Sequence, residues 1–284
     1  MADPDFLTAH RVHYCSRTVR ANNVDALNIA IRDVRNSALK EKAIKSGRGR
    51  LQHLFETAGF DVVVVSNESA LGDPFNDHLP GFFPMLDAAL AGVCTMFEGY
   101  RVVPVFFLRD QATLLPSFYG QRIRQGASYS LEEFEARVCM YDLSWRPVVK
   151  SIAAAFPTAN LELHQFEEFA HDSSAYTAAL FGRLLELQRM PAREPVSKNR
   201  AAKSLAMGLM RRANWLVECL PLVPRSKKYK LKKRLRRSLF PLFEHVKSGL
   251  RLELGPAAAA TLRAQYQKDL VALKIKGPAQ ENRP

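Results

Sequence analysis

The sequence predicts an α/β fold of three layers, with helices on both faces of a mostly parallel central sheet. Residues 60–66 (FDVVVVS) and 101–108 (RVVPVFFL) are short, continuous apolar runs, the pattern of strands covered on both faces. Residues 160–165 (NLELHQ) are a third strand candidate. Segments with helical spacing separate these runs, and right-handed crossovers between parallel strands place helices on both sides of a sheet.

Taken in order, Asn22 or Asn23 can cap a helix over residues 24–43, where Val24, Leu27, Ile31, Val34 and Ala38 share one apolar face. A short helix over 50–58 ends at Gly59, because glycine accepts a left-handed backbone. The strand at 60–66 follows, then a helix over 84–97. In the strand at 101–108, Pro104 lacks an amide donor, which assigns it to an edge or a bulge. A helix over 113–125 comes next. Ser130 and Glu133 form a capping box for a helix over 131–140. Pro147 opens or interrupts a helix reaching Phe156, and Asp172 or Ser173 starts one over 175–188. Residues 191–200 are polar and irregular, and 201–220 read as a helix. The final helix, 257–273, carries Leu262, Tyr266, Leu270 and Leu273 on one side. The whole is read as a single domain over residues 1–284, with a basic segment or insertion at 221–240.

The 284 residues suffice for one large core or two modest ones, and 47% hydrophobic with 24% charged residues is ordinary globular usage. No apolar run approaches a membrane span. The first residues, MADPD, lack the basic-then-apolar order of a secretory leader, so the chain reads as cytoplasmic. Cys15, Cys94, Cys139 and Cys219 show no CxxC spacing and the histidines no HExxH, which excludes the usual zinc and redox motifs. No metal is expected. The formal charge of +13 is concentrated in residues 225–237 (RSKKYKLKKRLRR), which contain no acid. Such a segment attracts anionic membrane, nucleic acid or acidic glycans. Nucleic acid is the weaker option, since zinc-finger, basic-zipper and RRM patterns are missing.

In open parallel sheets, ligands bind beyond the carboxyl ends of strands. Here those places are Ser66, Asn67 and Glu68 after the first predicted strand, Arg109 and Asp110 after the second, and Phe166 and Glu167 after the third. Residues 106–126 (FFLRDQATLLPSFYGQRIRQG) are the most informative. Arg109 ends a strand and Ser117 follows eight residues later in a helix. An arginine can grip a phosphate through two parallel charged hydrogen bonds, and a hydroxyl can add a third.

This segment, together with VVVVSNESALG at 62–72, DLSWRPVVKSIAAAFPTANLELHQFEEF at 142–169 and the late helices, resembles the P-loop-like sulfotransferase superfamily, especially its bacterial carbohydrate-type members. The likeness spans residues 24–273. It implies a fold of that class and the donor PAPS, released as PAP. Arg109 and Ser117 match the pair that binds the donor's 3′-phosphate. Glu68 matches the acidic position after the neighbouring strand and is the candidate for acceptor binding or base action. Other candidates are His53 and His78 as bases, Arg122 and Arg124 for positive potential, and Ser197 and Arg200 in the late polar segment. The acceptor would be a hydroxyl of a carbohydrate or a lipid-linked sugar.

The family opens with a strand and a loop rich in Lys, Gly, Ser and Thr that grips the 5′-phosphosulfate. Residues 1–10 supply no equivalent. Ser46-Gly47-Arg48-Gly49-Arg50 offers glycine and charge without a preceding strand or the GxxxxGK[ST] order, and reads as a helix start. The chain is therefore expected to lack its first strand, as a shortened relative or one whose natural start lies earlier. Two functions follow: sulfate transfer to a carbohydrate hydroxyl, or a catalytically inactive, N-terminally incomplete relative acting as a binding or scaffold protein.

Overall fold

The structure, a computed structural model, describes residues 4–15, 25–76, 79–139, 141–185, 204–221, 223–244 and 252–275. Asn22, Asn23, His78, Ser197 and Arg200 lie outside them. Two compact units form. One comprises residues 1–108, 144–196 and 269–284; the other comprises 109–143 and 197–268.

The first unit opens with α1 (Pro4–Ala9) and β1 (Val12–Cys15), followed by α2 (Ala26–Asp33). β1 corrects the expectation that no strand precedes the first long helix. It pairs in parallel with β2 (Val62–Val65), Val12 opposite Val62 and Cys15 opposite Val65. Its signal is faint because His13 and Tyr14 interrupt a run of only four residues. Both faces of the pair are covered. Cys15, Val63 and Val65 pack with Leu27, Ile31 and Val34 of the α2 region. Val12, Tyr14 and Val64 pack with Leu7, Ala178 and Phe181.

The predicted helix over 24–43 is broken. Residues 34–39 form turns between two helices, and Asn36 Oδ1 accepts the Ala38 amide within them. Such side-chain-to-backbone bonds compete with helix propagation. α3 (Lys40–Gln52) then runs through Gly47 and Gly49 and ends in a π-helical turn, His53–Thr57. The stretch 46–50, read as a helix start or substitute anion loop, is thus helix interior. Gly47 belongs there because its bare Cα lies against Met96 of α4 (Leu86–Phe97).

β3 (Val105–Leu108) pairs in parallel with β4 (Glu162–Gln165). Pro104 sits just before β3, and its carbonyl accepts the Glu162 amide at 2.9 Å, so the missing donor costs the ladder nothing. Phe106 meets Trp145 of α7 (Trp145–Ala155) edge-on. Phe107 on the other face meets Phe169 of α8 (Phe166–His171) and Tyr176 of α9 (Ser173–Leu184). Where the sequence reading has one central sheet, the described strands form two separate parallel pairs.

In the second unit, α5 (Gln111–Gln125) starts at its cap Asp110, whose carboxylate accepts the Ala112 amide, and stops at Gly126 in a left-handed conformation. α6 (Leu131–Val138) has the expected capping box, with Ser130 and Glu133 bonding reciprocally. α10 (Ser204–Glu218), α11 (Arg225–Glu244) and most of α12 (Pro256–Ala272) complete it. Asn214 of α10 donates from Nδ2 to the carbonyls of Ile123 and Ala127, both at 2.8 Å, which ties α10 to the end of α5.

Candidate functional site

Arg109 stands at the junction of β3 and α5. Its Nε donates to Thr113 Oγ1 and its NH2 group to the Thr113 carbonyl, each at 3.2 Å. Thr113 Oγ1 also donates to the Asp110 carbonyl. Thr113 and Ser117 are four apart on α5, so their hydroxyls share one helix face, and both are exposed. Arg109 folded onto Thr113 therefore begins a stripe that Ser117 continues: a guanidinium and two hydroxyls. These are the groups that a phosphate monoester accepts bonds from. Thr113 is not part of the Arg109/Ser117 pattern in the sequence. Its signal was the four-residue spacing to Ser117.

Arg122 and Arg124 are folded onto their own helix. Arg122 bonds Gln125 and lies over the Phe118 ring, and Arg124 Nε donates to the Gly120 carbonyl. Asp110 also lies 3.9 Å from Arg263 of α12. The capping carboxylate thus holds a cation near the start of α5.

Glu68 belongs to the other unit. It is exposed on the turn that leaves β2. The turn is fixed by Asn67, whose Oδ1 accepts the Ser69 amide while its Nδ2 donates to the Asn28 carbonyl on α2. This holds the backbone on both sides of Glu68 and leaves its carboxylate to solvent. His53 is exposed in the π-helical turn.

A cluster that the sequence reading missed lies at the carboxyl end of β1. Asp25 caps α2 by accepting the Leu27 amide, and its other oxygen meets His13 Nε2 at 3.2 Å and Arg50 at 3.0 Å. Burial pushes the Asp25 carboxyl up. Bonds from Arg50, Leu27 and His13 together outweigh burial and hold it below its usual range. Cys15 is fully buried beside them, and burial, then the Asp25 charge, push its thiol up to about 12. Ligand atoms of His13, Cys15 and Asp25 lie within 4.8 Å of one another, a spacing compatible with a metal. Arg50 nevertheless already supplies the cation that neutralises Asp25, and the thiol is held protonated. The cluster works as an ion-paired anchor joining β1, α2 and α3. The nine residues between β1 and Asp25 (SRTVRANNV) contain no glycine and no lysine.

At the carboxyl end of β4, a groove is lined by Leu163, His164, Gln165, Glu168, Lys274 and Ile275. Both ring nitrogens of His164 are engaged, Nδ1 by Tyr176 Oη and Nε2 by Glu162 at 3.3 Å. Arg183 grips Glu162 with two 2.6 Å bonds. This groove offers no unengaged base.

No helix among the described residues is long and apolar enough to cross a membrane. No family model, curated protein or solved structure matches the chain.

Proposed function

We propose that the chain binds a 3′-phosphorylated adenosine nucleotide, PAPS or PAP, through Arg109, Thr113 and Ser117, and transfers sulfate from PAPS to a hydroxyl of a carbohydrate. The observation that supports it is the Arg109–Thr113–Ser117 stripe at the strand-to-helix junction. It places one guanidinium and two hydroxyls along a single helix face, a donor set suited to a phosphate dianion. PAPS would supply an activated sulfuryl group. The protein's part is to hold the nucleotide by its phosphate and to orient the acceptor hydroxyl.

Calorimetry with PAP and the purified chain tests the binding reading. Saturable binding that Arg109→Ala removes, with the fold kept, supports it; a folded chain with no heat of binding refutes it. A second reading, a nucleotide-binding relative without transfer activity, is favoured by the residues between β1 and α2, which lack both glycine and lysine. Transfer of labelled sulfate from PAPS to a sugar acceptor decides between the two.

A further inference from the structure

Helix α10 carries large apolar side chains on its buried side and on its exposed side. Met207, Met210, Asn214 and Val217 recur at three- and four-residue spacing and are buried. Asn214 pins that side to the carbonyls of Ile123 and Ala127. The other side carries Leu209 at 44% exposure and Trp215 at 55%, then Leu216 at 61% and Leu220 at 39% just past the helix end. Large apolar side chains exposed together on one side of a helix, rimmed by charge, mark an interaction site.

The helix that follows identifies the occupant. α11 turns Lys228 and Lys232 inward, Lys228 donating to the Glu218 carbonyl and Lys232 to Glu218 Oε1 and the Gly126 carbonyl. This ties the start of α11 to the end of α10, next to Trp215, Leu216 and Leu220. The exposed residues of α11 include Lys227, Lys230, Lys233 and Arg234, with Tyr229 at 62% exposure among them. Arg212 adds a further exposed cation within the α10 stripe. Leucines with a tryptophan and a tyrosine beside clustered lysines are the composition of a surface that lies in the headgroup region of an anionic bilayer. A nucleic acid would use the cations equally and can stack a base on Trp215, but would leave Leu209, Leu216 and Leu220 in water.

We propose that α10 and α11 dock the protein on an anionic membrane, with Trp215 and Leu216 entering the headgroup–acyl boundary and the exposed cations of α11 pairing with lipid phosphates. This does not depend on the nucleotide reading.

The chain has two tryptophans, and Trp145 is buried, so changes in emission on lipid binding report Trp215. The test is sedimentation with vesicles of phosphatidylcholine alone, or with added phosphatidylglycerol. Emission is read in vesicles whose phosphatidylcholine carries bromine on its acyl chains. The protein should sediment with the anionic vesicles only, and its emission should be quenched by the bromine. Replacing Lys227, Lys230, Lys233 and Arg234 by Glu should weaken partition by about tenfold or more. Trp215→Ser should abolish the quenching while some partition remains, with circular dichroism confirming that both variants keep their helices. Failure to sediment with anionic vesicles overturns the proposal. So does sedimentation without quenching, which would be adsorption by charge alone, or salt-sensitive binding of RNA or DNA without vesicle binding.

Discussion

The Arg109 guanidinium lies against Thr113, donating to its side-chain oxygen and its carbonyl at 3.2 Å each. Thr113 thereby holds the arginine beside the face that bears Ser117. For the proposed phosphate contact, Arg109→Ala should weaken PAP binding by about 2–3 kcal/mol, the value of charge-assisted bonds lost together. Arg109→Lys should recover only part of this, because an ammonium cannot make the planar two-pronged contact. Thr113→Val, nearly isosteric, should cost about 1 kcal/mol. Calorimetry measures all three. Equal affinity of wild type and Arg109→Ala would remove the phosphate assignment.

A second anchor concerns folding. Asp269 is fully buried and accepts from Ser144 Oγ and the Trp145 amide, both at 2.7 Å, across the start of α7. Its negative charge at a helix N-terminus is favourable. Asp269→Ala removes the carboxylate that accepts from the Trp145 amide and the Ser144 hydroxyl. It should lower stability by about 3 kcal/mol, and Ser144→Ala by about 1–2 kcal/mol. Urea denaturation gives both values. An Asp269→Ala loss below that of Ser144→Ala would show that the cap matters and the buried carboxylate does not.

Most elements were legible because their local signals agree. The Ser130–Glu133 box, the valine run at 62–65 and the end of the helix at Gln125 each rest on neighbours a few positions apart. The misses share a cause of the opposite kind. β1 has one polar and one aromatic residue inside four, and only pairing with β2 makes it a strand. The break at 34–39 is hidden because Val34 and Ala38 continue the apolar spacing while Asn36 quietly turns the backbone. The anchor of His13, Asp25 and Arg50 joins a strand, a cap and a third element. No spacing rule reaches across such a distance. Arg109 and Ser117 stand out in the sequence by their eight-residue spacing, whereas Thr113 gains meaning only through its bond to Arg109.

That anchor makes stability depend on pH. The folded Asp25 carboxyl titrates below its unfolded value, so the native state gains stability above the unfolded pKa of about 4 and loses it as pH falls through the lower folded value. Glu162 acts in the same direction, lowered chiefly by the Arg183 bond. Cys15 has the reverse sign. Raised to about 12, it contributes stability that is complete below its ordinary pKa of 9.0 and declines as pH rises towards 12. Urea midpoints should therefore fall at both extremes, and Asp25→Asn should flatten the acid limb. An acid limb unchanged by Asp25→Asn would place the effect elsewhere.

Two glycines separate a rigid contact from a yielding one. A Cβ at Gly92 in α4 would stand 2.2 Å from Val34 Cγ2, and one at Gly47 in α3 would stand 2.3 Å from Met96 Sδ. The distances are alike but the neighbours are not. Valine is branched at Cβ and held at χ1 within a buried cluster, so it cannot withdraw. Methionine has three rotatable bonds and can move its sulfur aside. Both substitutions gain the helix preference of alanine over glycine, about 1 kcal/mol. Gly92→Ala should still be destabilising by about 1–3 kcal/mol through overpacking, with Gly47→Ala clearly milder. Thermal or urea unfolding of the two variants side by side measures this. A Gly47→Ala loss equal to that of Gly92→Ala would mean that Met96, itself fully buried, has no room to turn.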